Sequence, residues 1–230
     1  MIDMLLNPVL ILIIVLPLTI ACIAMYQGAG VHWSVILKDL GVPLGLLMCF
    51  IGFVGIAHNV SDPSTIGRAT GFMLGAILYA GALASIGYFW GFKSADFVRV
   101  PHTSVEVKWW GPAVSVTNLL VILVWVMDGA GGLHLFFLAL PLSVFAVTAL
   151  VALKISNRQN MLHALSQSFL LGAMLNVLIG LIDYYFENKQ GLETALLGIT
   201  YALIAYICLY FLTYKIGDPK KLDAPLMNWH

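Results

Sequence analysis

Apolar residues gather along this chain into long blocks broken by short polar clusters. Blocks of at least 18 apolar residues fall at roughly 7–27, 36–58, 66–90, 110–128, 133–153, 162–185 and 192–214. Each is long enough to cross a bilayer, because a rise of about 1.5 Å per residue carries about 20 residues through a hydrocarbon layer of about 30 Å. The pattern predicts an all-α polytopic membrane protein of about seven transmembrane helices, forming one membrane domain over residues 1–230. Connections are short except between Gly91 and Lys108 and after Lys215. The first block has Asp3 where a secretory signal carries Lys or Arg, and no small-residue cleavage site follows it, so it reads as a retained helix.

Composition sharpens this picture. Apolar residues make up 61% of the chain and charged residues 10%, against about 25% charged in soluble domains, which excludes a water-soluble enzyme. The 11 basic residues balance the 11 acidic ones and form no long basic run, so nucleic acid is not an expected partner; the bilayer is. Cys22, Cys49 and Cys208 lie within separate apolar blocks and read as small hydrophobes rather than a disulfide framework. In a seven-helix arrangement Lys38, Lys93, Arg99, Lys108, Lys154, Arg158, Lys215, Lys220 and Lys221 share one side, leaving Arg68 and Lys189 on the other. The positive-inside rule then puts the N-terminus outside and the C-terminus in the cytoplasm of a cell inner (plasma) membrane. The outer side, with Asp3, Asp62, Asp128, Asp183, Glu187 and Glu193, becomes net acidic.

Ionised groups deep in a membrane span usually mark proton or ion routes. None of the seven blocks holds a central Asp, Glu, Lys or Arg; Asp128, Asp183 and His58 come nearest, at predicted boundaries. A proton pump complete in itself is therefore not expected. No lysine lies between Gln190 and Tyr214 to form a retinal Schiff base, and His58, His134 and His163 lie near helix ends instead of facing one another as a haem pair would. No cofactor, metal site or enzymatic activity is expected.

Packing chemistry is more informative. Gly67, Gly71 and Gly75 recur every four residues in the third block, and Gly41, Gly45, Gly52 and Gly55 mark the second. Small residues at such spacing let helices approach closely in lipid, so these two blocks are expected to form a tight hairpin. Asn118 and Asn176 are mid-helix polar groups that need partners across a helix interface. Between the second and third blocks, Asn59, Asp62 and Pro63 form an expected outer turn, with Ser64 or Thr65 able to cap the following helix. Arg68, near that helix start, opposes the helix dipole and calls for a partner such as Asp62 or a lipid phosphate.

The segment from about Gly41 to Ser85 resembles the last transmembrane hairpin of the MotA/TolQ/ExbB proton-channel family, nearest its MotA branch. The resemblance is carried by Leu44-Gly45 and Gly52, by Asn59 and the turn Asp62-Pro63-Ser64-Thr65-Ile66-Gly67, and by Ala69, Leu74, Leu78-Tyr79 and Leu83-Ala84. It implies a subunit that packs as a homo-oligomer or hetero-oligomer around single-span membrane proteins, with the partner supplying the titratable aspartate. The chain departs from the family at Met48-Cys49, where the family has Gly-Thr, and at Ala76-Ile77, where it has two threonines. It also has no large cytoplasmic insertion between its first helices.

A duplication is a further reading. Ile179-Gly180-Leu181-Ile182, Asn188, Gly191, Thr194 and Thr200 can be laid over Ile51-Gly52-Phe53-Val54, Asn59, Gly67, Thr70 and Ala76 with one four-residue gap. Residues 1–92 and 133–215 would then be parallel three-helix repeats joined by a linker helix at 110–128. Three functions stay open: an ion-channel or stator-type subunit, a small-solute transporter or channel of three-one-three topology, and a non-catalytic accessory subunit. Asn118, Asn176 and Thr200 are the candidate pathway residues, joined in the transporter reading by Thr148, Ser166 and Tyr206.

Overall fold

A computed structural model describes residues 8–58, 63–93, 109–155, 161–186 and 190–216. Among these the regular structure is entirely helical. Seven helices are long and apolar enough to span a membrane. They are α1 (Pro8–Ala29), α2 (Trp33–His58), α3 (Pro63–Lys93), α4 (Trp110–Gly129), a fifth span Leu133–Lys154 made of a short 3-10 turn and α5 (Ala139–Ile155), then α6 (Met161–Tyr185) and α7 (Gln190–Ile216).

Local chemistry sets the helix ends and irregularities. Pro17 cannot donate an N–H to the preceding turn, and just before it α1 widens into a π-helical stretch, Ile11–Val15. Gly30, with φ of 68°, closes α1 in the left-handed conformation and donates its N–H to the Met25 and Tyr26 carbonyls. Pro63 is the first residue of α3, where a missing N–H costs no intrahelical bond. The fifth apolar block, expected to be helical from residue 133, divides in two: a short 3-10 turn, Leu133–Phe136, then α5 from Ala139. A continuous helix would need an N–H from Pro141, so α5 begins where Pro141 falls in its first turn.

Chain neighbours pack closely in the pairs α1–α2, α2–α3, α5–α6 and α6–α7, whereas α4 packs on α1 and α7. The core lies where α1, α2, α4 and α7 meet, around Met25, Leu47, Ile51, Leu123, Leu197 and Ile207, all buried. Helix α2 is central, against α1, α3 and α7. Along the α2–α3 seam a Cβ at Gly41 would stand 2.8 Å from Ala84 Cβ, and one at Gly45 would stand 2.5 Å from Ala80 Cβ. Gly52 faces Met73 in the same seam, so the backbones approach as closely as residues without a side chain allow. A second close seam joins α6 and α7, where Gly180 meets Gly191 and Ala195, and Gly198 meets Asn176. Helix α5 docks on α6 through Phe145, whose ring packs on Phe169 and edge-on to Tyr201. Large apolar side chains such as Leu74, Leu150, Leu170 and Leu178 point outward, as a bilayer requires.

Candidate functional site

A cavity of about 530 Å³ is bounded by the first four helices at the end of the bundle where α1 begins. Val9 and Ile13 come from α1, Ile51, Gly52 and Gly55 from α2, Arg68, Ala69 and Phe72 from α3, and Trp125 through Ala130 less Met127 from α4 and its C-terminal end. Its volume lies within the roughly 300–1,000 Å³ of small-molecule sites. Each helix contributes about one turn to it. The floor and walls are apolar, with Ile13 and Ile51 buried. Charge is confined to the rim, in Arg68 and Asp128.

The local fold explains both charges. Arg68 is on the second turn of α3; its Nε donates to the Ser64 carbonyl at 3.3 Å, and Nη2 reaches Ser64 Oγ at 3.5 Å. The guanidinium is thus folded back one turn, and two contacts leave most of its five donors for other groups. Asp128 stands in the last turn of α4, and its backbone carbonyl accepts the Gly132 N–H at 3.0 Å as the chain turns through Gly131 and Gly132 at positive φ. Among the described residues the ion pairs are Lys38–Asp39 and His58–Glu193, so Arg68 and Asp128 share a cavity without pairing.

Beside the cavity, His58 Nδ1 lies 3.4 Å from Glu193 Oε1, tying the end of α2 to the first turn of α7. The His134 ring stands edge-on to His58 with centroids 6.4 Å apart. Among the described residues no group of three His, Cys, Asp or Glu side chains is placed to hold a metal ion. At the opposite end Tyr210 donates its hydroxyl to Asp39 Oδ2 at 3.0 Å. Asp39 is the seventh residue of α2, about 9 Å along its axis, which makes it the acidic group that reaches furthest into a described span. Pro43, four residues on, also deprives the Asp39 carbonyl of its helical donor.

The residues singled out from sequence are spread through the bundle. Asn118 Nδ2 donates to the Pro17 carbonyl at 3.3 Å, joining α4 to α1. Asn176, fully buried, donates to the Pro141 carbonyl at 3.2 Å and joins α6 to α5, while its Oδ1 has no partner among the described residues. Thr200 is buried in α7 and donates to its own helix at Leu196. These three do not line the large cavity. Gly45 and Gly52 sit in the α2–α3 seam, and Gly75 sits against Leu10 of α1. Gly71 is half-buried, and Gly67 is exposed with nothing within 4 Å of where a Cβ would stand. Asn59 and Asp62 lie outside the described residues, whereas Pro63 opens α3.

Sequence reasoning passed over two groupings. The Asp39–Tyr210 and His58–Glu193 contacts join residues far apart in the chain, and no local spacing marks them. The one available signal was Lys38-Asp39 lying inside an apolar run. The cavity was equally invisible, because four separate helices build it. Compared with family models, with curated proteins and with solved structures, the chain has no match in any of the three.

Proposed function

We propose that this protein is a small-solute transporter or channel whose binding site is the cavity bounded by α1–α4. The observation that carries this reading is a cavity of about 530 Å³ with apolar walls and two oppositely charged side chains at its rim that do not pair with each other. Such a site binds by burying an apolar body and orienting it through a few polar groups. Movement of the helices around it has structural support. The π-helical turn Ile11–Val15 and Pro17 interrupt α1 beside the cavity floor, and Pro43 interrupts α2 below it, the kinds of position at which membrane helices bend.

Thiol labelling tests the reading. With Cys22, Cys49 and Cys208 replaced, A69C and G129C in intact vesicles should react with a membrane-impermeant maleimide from the N-terminal side. A cysteine at Leu119, buried between α1 and α4, should not. Failure of both cavity positions to react, in vesicles and again in the folded, delipidated chain, would remove this function.

A second reading, the stator-type subunit, is favoured by the close α2–α3 hairpin, with its seam at Gly41, Gly45 and Gly52 and its outward apolar face at Leu74 and Leu78. It requires several copies around a single-span partner bearing a central aspartate. The mass of the gently solubilised assembly decides it, and a monomer without such a partner excludes it.

A further inference from the structure

The surroundings of the α1–α4 cavity bear on what occupies it, and the identity of that occupant rests on the cavity's proposed role as a binding site. Two of its bounding helices, α3 and α4, share no packed seam. Helix α4 packs on α1 and α7, while α3 packs on α2 and on the start of α1. The cavity is therefore a cleft that faces the bilayer between α3 and α4. Residues at that opening agree, since Val9 is 47% exposed and Trp125 52% exposed although both line it.

The depth of the two charges follows from helix length. Helix α3 has 31 residues and runs about 46 Å, some 16 Å longer than a hydrocarbon layer of about 30 Å. With that excess shared between its ends, Arg68, about 7 Å from the start, falls at the hydrocarbon boundary. Helix α4 has 20 residues, about 30 Å, so Asp128 in its last turn falls at the same boundary. A cation and an anion thus stand at headgroup level over an apolar cleft, neither paired with another charged side chain among the described residues.

We infer that the cleft takes a membrane lipid with a zwitterionic headgroup from the leaflet on the N-terminal side. Its phosphate meets the Arg68 guanidinium, its ammonium meets the Asp128 carboxylate, and part of one acyl chain lies against Phe72 and Trp125. An anionic lipid satisfies Arg68 but leaves Asp128 facing a like charge. A water-soluble zwitterion satisfies both charges but leaves the apolar walls and the opening toward lipid without an occupant. Charge complementarity at both ends, together with the bilayer-facing opening, selects the zwitterionic amphiphile.

The test is native mass spectrometry of the purified full chain. It is offered equimolar phosphatidylethanolamine and phosphatidylglycerol with the same acyl chains, with chain-free glycerophosphoethanolamine as competitor. The phosphatidylethanolamine adduct should exceed the phosphatidylglycerol adduct about tenfold, the scale of one charge-assisted contact. D128N should erase that preference, lowering the phosphatidylethanolamine adduct and raising the phosphatidylglycerol adduct. R68Q should lower both, and A69W should remove both, each with the wild-type melting temperature. Equal adducts in the wild type, or a preference that survives D128N, overturns the inference. Displacement of the lipid by glycerophosphoethanolamine also overturns it, while leaving the cavity as a site for a soluble zwitterion. A69C and G129C that stay unreactive even in the folded, delipidated chain would instead take away the site itself.

Discussion

Moving one methyl group across the α2–α3 seam tests the packing on which the cavity depends. A Cβ at Gly45 would stand 2.5 Å from Ala80 Cβ, whereas carbon atoms in contact prefer about 3.5–4.0 Å. G45A therefore forces the two helices apart by about 1 Å or more. Gly41 against Ala84 and Gly52 against Met73 must loosen with it. Overpacking of this kind costs about 1–3 kcal/mol. Part of that is offset by the roughly 1 kcal/mol that alanine gains over glycine within a helix. A80G loses a similar amount of helix propensity and opens a gap. In the double variant G45A/A80G the methyl sits on the opposite helix and the seam closes again. Propensity cancels across the cycle, so the coupling isolates the steric term, and the double variant should be more stable than the sum of the singles by about 1–3 kcal/mol. Reversible unfolding of the purified chain in mixed micelles of increasing SDS fraction measures all four corners. A coupling below about 0.5 kcal/mol, the scatter of independent sites, would refute a close α2–α3 approach.

The two interhelical asparagines should behave differently. N118L removes a satisfied interhelical bond and should cost about 0.6–1.7 kcal/mol, whereas N176L removes one bond together with an unpartnered oxygen and should be neutral or stabilising. The same unfolding assay checks both, and a larger loss in N176L than in N118L contradicts the assignment. Y210F should cost about 1 kcal/mol by removing the hydroxyl that donates to the Asp39 carboxylate, and Y210F in a D39N background should add little, because the two act as a pair. E193Q should cost less than about 1 kcal/mol, since the facing His58 side chain is 40% exposed and solvent weakens such a pair.

Helix number and class were legible because lipid imposes one rule on every span, a long apolar block, and the rule is local. The boundaries of α4 and α6 fell within a residue or two for that reason. The start of α5 did not, because Pro141 divides one apolar block into a 3-10 turn and a helix, and apolarity alone does not register a missing N–H. Glycine spacing pointed to a close hairpin of the second and third helices, but it did not say which glycines face the partner. Gly41, Gly45 and Gly52 do, while Gly67 has the same spacing and faces open space. The cavity depends on α3 and α4 standing apart, a property of the assembled bundle with no signature at any single position. Arg68 and Asp128 were each readable as boundary charges; only the fold brings them to one rim.

Flux through the α1–α4 cavity is the most direct test of the account. The full chain and its A69W variant are reconstituted into vesicles, and movement of labelled zwitterionic lipid and of small soluble zwitterions across the bilayer is followed for each. The account expects the wild type to move at least one of them and A69W, with its cavity filled and its melting temperature unchanged, to move none. Undiminished flux in A69W, or none in the wild type, would contradict it.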